Sequence, residues 1–187
     1  MKTKTHLPFI VLFTLLVTSA FSLYLPATAA ETGDYEVTPC DVGACIVLDN
    51  PAGVSVRSGP GEEYSVITTL PYDPGGAVDL VIRGSVGEWM RVSSFSYDGN
   101  QTEEFRKTVG WIYAPPSLVV SAWPHGTPFA SLYEEPNAAS PVLTNLPEHA
   151  VAAVIGCRGE WVKVNYKGVK GWLAPGTHCG ACITNCI

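Results

Sequence analysis

The chain has 187 residues, 47% of them hydrophobic, 15% charged and 10% aromatic, with 18 Gly, 15 Pro and 6 Cys. That much apolar material excludes an intrinsically disordered chain, and at about 100–150 residues per domain the length allows one ordinary domain or two small ones. Lys plus Arg total 11 against 17 Asp plus Glu, a net charge of −6 without a basic block, so the counterion release that drives nucleic-acid binding is missing and no nucleic-acid partner is expected.

Residues 1–30 read as a signal peptide. Lys2 and Lys4 precede an uncharged apolar run over 7–25, and Pro26-Ala27-Thr28-Ala29-Ala30 supplies the small residues that signal peptidase accepts. A retained anchor is the competing reading, because the run nearly spans a bilayer. Thr14, Thr18, Ser19 and Ser22 inside the run, and the cleavage site after it, favour removal. The product is then expected to be periplasmic or extracellular, with no membrane attachment.

Residues 31–51 form an N-terminal segment in which Cys40 and Cys45 flank an expected tight turn, Asp41-Val42-Gly43-Ala44. Cys157 reads as lying in a turn between strands, and Cys179, Cys182 and Cys186 crowd a tail over 177–187. An even number of cysteines in an exported chain implies disulfides. Local spacing favours Cys40–Cys45, then Cys157 with one tail cysteine, then the two remaining tail cysteines together. His178-Cys179-Gly-Ala-Cys182 also has a ligand-like spacing, but structural zinc needs four well-placed ligands. Neither a metal nor any other cofactor is expected.

One unit occurs twice. Val56-Arg-Ser-Gly-Pro-Gly-Glu-Glu-Tyr-Ser-Val-Ile-Thr-Thr-Leu-Pro71 lies without gaps over Leu132-Tyr-Glu-Glu-Pro-Asn-Ala-Ala-Ser-Pro-Val-Leu-Thr-Asn-Leu-Pro147. Downstream, Val78-Asp-Leu-Val-Ile82 aligns with Val151-Ala-Ala-Val-Ile155. Gly87-Glu-Trp89-Met-Arg-Val92 then aligns with Gly159-Glu-Trp161-Val-Lys-Val164, and Gly110-Trp111-Ile112 with Gly171-Trp172-Leu173. Val54 and Val56 alternate with Ser55 and Arg57, as do Val78, Leu80 and Ile82 with their neighbours, a period of two that predicts short strands between Gly- and Pro-rich turns. The pattern is all-β. Between Val92 and Gly110 the first copy carries a polar insertion; the second crosses the same interval with Asn165-Tyr-Lys-Gly168, a hairpin turn.

These motifs resemble the bacterial SH3-like (SH3b) domain family. The first copy, 52–116, carries Val-Arg-Ser-Gly-Pro-Gly and both Trp signatures. The second, 128–176, keeps the Trp signatures but has Tyr133-Glu-Glu-Pro-Asn137 in place of that turn. The resemblance implies two tandem small, partly open β-barrels joined by a linker over 117–127. It also implies a shallow groove lined by aromatics, with Trp89 and Trp161 at the ligand-contacting position. Alternation supports this independently, since a core-facing Met90 and Val92, or Val162 and Val164, turn the two tryptophans outward. Tyr64, Tyr113 and Tyr133 are groove neighbours, while Trp111 and Trp172 read as structural. Arg57 either braces its loop through backbone carbonyls, the favoured role, or meets a ligand carboxylate. Glu62 and Glu63 offer negative charge to ligand amines.

No catalytic constellation is evident. His125, His149 and His178 lie in a Pro-rich stretch, a turn and the tail, where solvated side chains are expected, and every Cys has another available to pair with. Together with the expected export, the resemblance to the SH3b family implies a non-enzymatic binding module for cell-wall peptidoglycan or another envelope component. A protein–protein adaptor for an envelope partner, or a structural spacer, is the alternative.

Overall fold

The computed structural model describes residues 34–97 and 107–180. The expected signal peptide, most of the insertion after Val92, and Cys182 and Cys186 lie outside those residues.

Apolar residues at every second position place the chain in strands from the start. In β1, Thr38–Val47, the side chains of Val42, Ala44 and Ile46 are buried while Asp41 and Gly43 face out. There follow β2 (Val54–Arg57), β3 (Val66–Leu70), β4 (Ala77–Val86), β5 (Trp89–Tyr97), β6 (Gly110–Tyr113) and β7 (Leu118–Ala122). The second half contributes β8 (Phe129–Tyr133), β9 (Val142–Pro147), β10 (Val151–Arg158), β11 (Trp161–Tyr166), β12 (Val169–Leu173) and the short β13 (His178–Cys179). Every named element of the described residues is a strand, as the sequence periodicity requires.

The duplication recurs as hydrogen-bond register. Val54 pairs with Leu70 and Arg57 with Val66; Ala130 pairs with Leu146 and Tyr133 with Val142, and both hairpins are bulged at the same step. In β4–β5, Ile82 faces Val92 and Gly84 faces Arg91 across a bulge; in β10–β11, Val154 faces Val164 and Gly156 faces Lys163 across its counterpart. Ile82 is therefore equivalent to Val154, one residue from the alignment suggested by the apolar runs. A run such as Val-Ala-Ala-Val-Ile carries no internal marker of phase, and only the bulge fixes it. The turn at Asn165–Gly168 forms as expected: Lys167 and Gly168 adopt φ of 51° and 88°, and Asn165 Oδ1 accepts the Gly168 N–H at 3.0 Å.

The halves join through their leading strands. The sheet runs β3-β2-β6-β5-β4-β1-β7-β10-β11-β12-β8-β9, so β1 and β7 stand side by side at its centre, with β13 attached to β7. Residues 118–122 of the expected linker thus form a central strand. β7 meets β1 at Ile46–Leu118 and Cys45–Val119, and β13 meets β7 at Ala122–His178 and Ser121–Cys179. The end of each half is therefore closed by the strand that follows it. One hydrophobic core draws on both halves, including Ile46, Ile82, Phe95 and Ile112 from the first and Leu132, Val154, Val162 and Leu173 from the second.

The expected cysteine pairing is overturned here. Cys40 bonds Cys157, with Cα atoms 5.8 Å apart across 117 residues of sequence. The expected Asp41–Ala44 turn is part of β1, whose extended backbone carries Cys45 away from Cys40. Cys157 is likewise in a strand, buried near the end of β10. Its carbonyl accepts the Ser85 hydroxyl at 3.4 Å, and Asp41 N–H reaches Gly159 O at 2.8 Å, so the disulfide lies in a hydrogen-bonded seam between the halves. Cys45 and Cys179 are also disulfide-bonded.

Candidate functional site

The side of the first half that faces away from the core carries the chemistry. Val54, Val56, Met90, Val92 and Ile112 are buried. Alternation therefore puts Ser55, Arg57, Trp89, Arg91, Trp111 and Tyr113 on the opposite face of β2, β5 and β6. Register makes neighbours of Trp89 and Tyr113, and of Trp111 with both Arg57 and Arg91.

A cleft of about 210 Å³ opens on this face, lined by Asn50, Gly53, Val54, Ser55, Arg57, Glu62, Trp89, Tyr113 and Pro115. Trp89 and Tyr113 meet edge-to-face with ring centroids 5.6 Å apart, and Tyr113 is 52% exposed. The Tyr113 hydroxyl donates to Glu88 Oε2 at 2.5 Å. That hydrogen bond, and the carboxylate's charge behind it, raise the phenol's pKa above its ordinary value. Arg57 is a brace: one guanidinium nitrogen donates to Glu62 O at 3.0 Å and to Tyr64 O at 2.8 Å. It holds the Ser58–Tyr64 loop against β2 while its charge remains at the cleft wall. The arrangement offers a ligand two aromatic surfaces, a carboxylate at Glu62 and a fixed cation, a combination suited to stacking and ion pairing.

Tyr64 falls outside the cleft lining. Its ring lies edge-on to Tyr35 at 6.3 Å, and Tyr35 lies edge-on to Trp111 at 5.6 Å. Beneath this cover Trp111 is only 4% exposed, the structural role expected of it. The second half pairs Trp161 with Tyr133 edge-on at 5.7 Å. Tyr133 stands where the first half has Arg57, each opposite its Gly-Trp tryptophan, and continuing the β11–β12 register puts Ala174 in the place of Tyr113. Apart from Tyr64, the expected residues thus fall into two dissimilar clusters: Trp89, Tyr113 and Arg57 in one, Trp161 and Tyr133 in the other.

Glu88, Asn50, Ser55 and Pro115 were not singled out from sequence. Glu88 sits inside the Gly-Glu-Trp motif, but its partner lies 25 residues away across the insertion. His178 departs from its expected solvated state. Pairing with β7 half-buries it, leaving Nδ1 enclosed without a partner and Nε2 3.4 Å from Glu160 O, and loss of solvation lowers its pKa. His125 and His149 lie at exposed turns, their rings 6.0 and 5.1 Å from that of Trp123. Among the described residues no group of three or more His, Cys, Asp or Glu is placed to hold a metal ion.

Residues 128–177 match the family model of the bacterial SH3 domain. The match falls on the copy that lacks the Arg-Ser-Gly-Pro-Gly turn. No curated protein matches the chain. Among solved structures, it is similar to NlpC2 from Trichomonas vaginalis, at 15% identity and a TM-score of 0.30 over 76% of this chain and 49% of that one. It is also similar to NlpC1 from the same organism, at 13% identity and a TM-score of 0.30 over 79% of this chain and 47% of that one. The chain spans about half the length of each.

Proposed function

We propose that this protein is an exported, non-catalytic binding module, with two SH3-like units, that recognises a cell-wall peptidoglycan component through the cleft of its first unit. The cleft itself carries the reading: an aromatic pair, the half-buried Trp89 and the exposed Tyr113, beside Glu62 and a braced Arg57. Aromatic faces present large contact area at low entropic cost, as sugar rings and peptide planes require. Glu62 offers a charge partner to the amino groups of wall peptides. The bacterial SH3 match and the Cys40–Cys157 disulfide are consistent with an exported protein. The matching registers of the two halves support the reading of the first half as a second SH3-like unit.

Co-sedimentation with purified sacculi tests the reading. Wild type and Trp161→Ala are expected to sediment with the sacculi, while Trp89→Ala stays in the supernatant with an unchanged circular dichroism spectrum. Equal sedimentation of Trp89→Ala and wild type refutes the assignment.

A further inference from the structure

Trp111 and Trp172 occupy equivalent positions. Each follows the glycine of a Gly-Trp pair, each faces a basic residue on the preceding strand (Arg91 or Lys163), and each faces the last residue of the first hairpin strand on its other side. Their surroundings differ. Residues 34–37, Asp-Tyr-Glu-Val, reach the first unit from the chain's N-terminal segment and set Tyr35 edge-on against Trp111. Asp34 and Glu36, the residues flanking Tyr35, are exposed. Over Trp172 there is instead a single cation, Lys163 Nζ, 5.5 Å from the ring centroid, and the indole is half-exposed. Lys170 lies two residues before Trp172 on the same face of β12 and is exposed.

We infer that the Trp172 face of the second unit is a docking surface for an extended acidic peptide segment bearing an aromatic side chain. Two observations converge on that occupant. The first unit displays it, because the equivalent indole already carries a tyrosine edge from a segment with an acid on either side. Charge makes the second case: Lys163 and Lys170 flank Trp172, complementing acids placed before and after the aromatic residue. The aromatic edge would displace the lysine head from the ring, and the ammonium would then meet a peptide carboxylate. This site is separate from the first unit's cleft and does not depend on what that cleft binds.

The test uses the exported chain and a capped synthetic peptide with the sequence of residues 32–38, Thr-Gly-Asp-Tyr-Glu-Val-Thr, followed by amide and indole NMR shifts. Saturable movement of the Trp172 indole and of the Lys163 and Lys170 amides is expected. A peptide with alanine in place of tyrosine is expected to bind about tenfold more weakly, the upper value of one aromatic pair. Lys163→Glu weakens binding while Trp172 keeps its native chemical-shift dispersion, and Trp172→Ala abolishes it. Absence of movement at Trp172, shifts confined to Trp111 and Tyr64, or equal binding of the alanine peptide each overturns the inference; the peptide comparison stands even where Trp172→Ala does not fold.

Discussion

The glycine of each Gly-Trp pair allows two strands to approach, and replacing it by alanine gives a quantitative test of the register. A Cβ on Gly110 would lie 2.4 Å from Val56 Cγ1 and 2.9 Å from Arg57 O; on Gly171 it would lie 2.7 Å from both Leu132 Cγ and Tyr133 O. Carbon atoms pack at about 3.5–4.0 Å, so Val56 or Leu132 must retreat by about 1 Å. Both are fully buried, and the carbonyls belong to the paired strand, so neither can yield without disturbing the sheet. Overpacking of a filled core costs about 1–3 kcal/mol, and backbone contact puts these sites at the upper end, about 3 kcal/mol each. Gly43→Ala is the control. Its Cβ would meet nothing closer than 3.8 Å and its φ is ordinary, so it is expected to be neutral or to stabilise by up to about 1 kcal/mol. Urea melts followed by tryptophan fluorescence measure all three. Losses below about 1 kcal/mol for both Gly110→Ala and Gly171→Ala would refute the close approach.

Non-reducing proteolysis and mass spectrometry should recover a peptide joining Cys40 to Cys157; a Cys40–Cys45 product would contradict the fold. Replacing both Cys40 and Cys157 with alanine should cost about 2–4 kcal/mol, with the halves still melting together because the core spans both. His178 gives a pH signature. Burial holds its folded pKa below the unfolded value near 6.5, so its contribution is complete above about pH 6.5 and is lost as pH falls toward the folded value. Urea midpoints at pH 8 and pH 5 should therefore differ less in His178→Gln than in wild type; an identical pH dependence counts against the buried ring.

The sequence alone determined what is local. Val54 and Val56, Met90 and Val92, and Val162 and Val164 alternate, which fixes strands and inward faces and so turns Trp89 and Trp161 away from the core. The repeated Gly-Glu-Trp and Gly-Trp motifs likewise announced the duplication that the registers reproduce. Tertiary structure decided what depends on distant partners. Cys40 finds Cys157 across 117 residues, Tyr35 finds Trp111, and β1 and β7 become central strands through pairings that no periodicity encodes. The division is physical: a strand's inward face follows from the chemistry of successive side chains, whereas its neighbour is chosen by how all the strands together close one core.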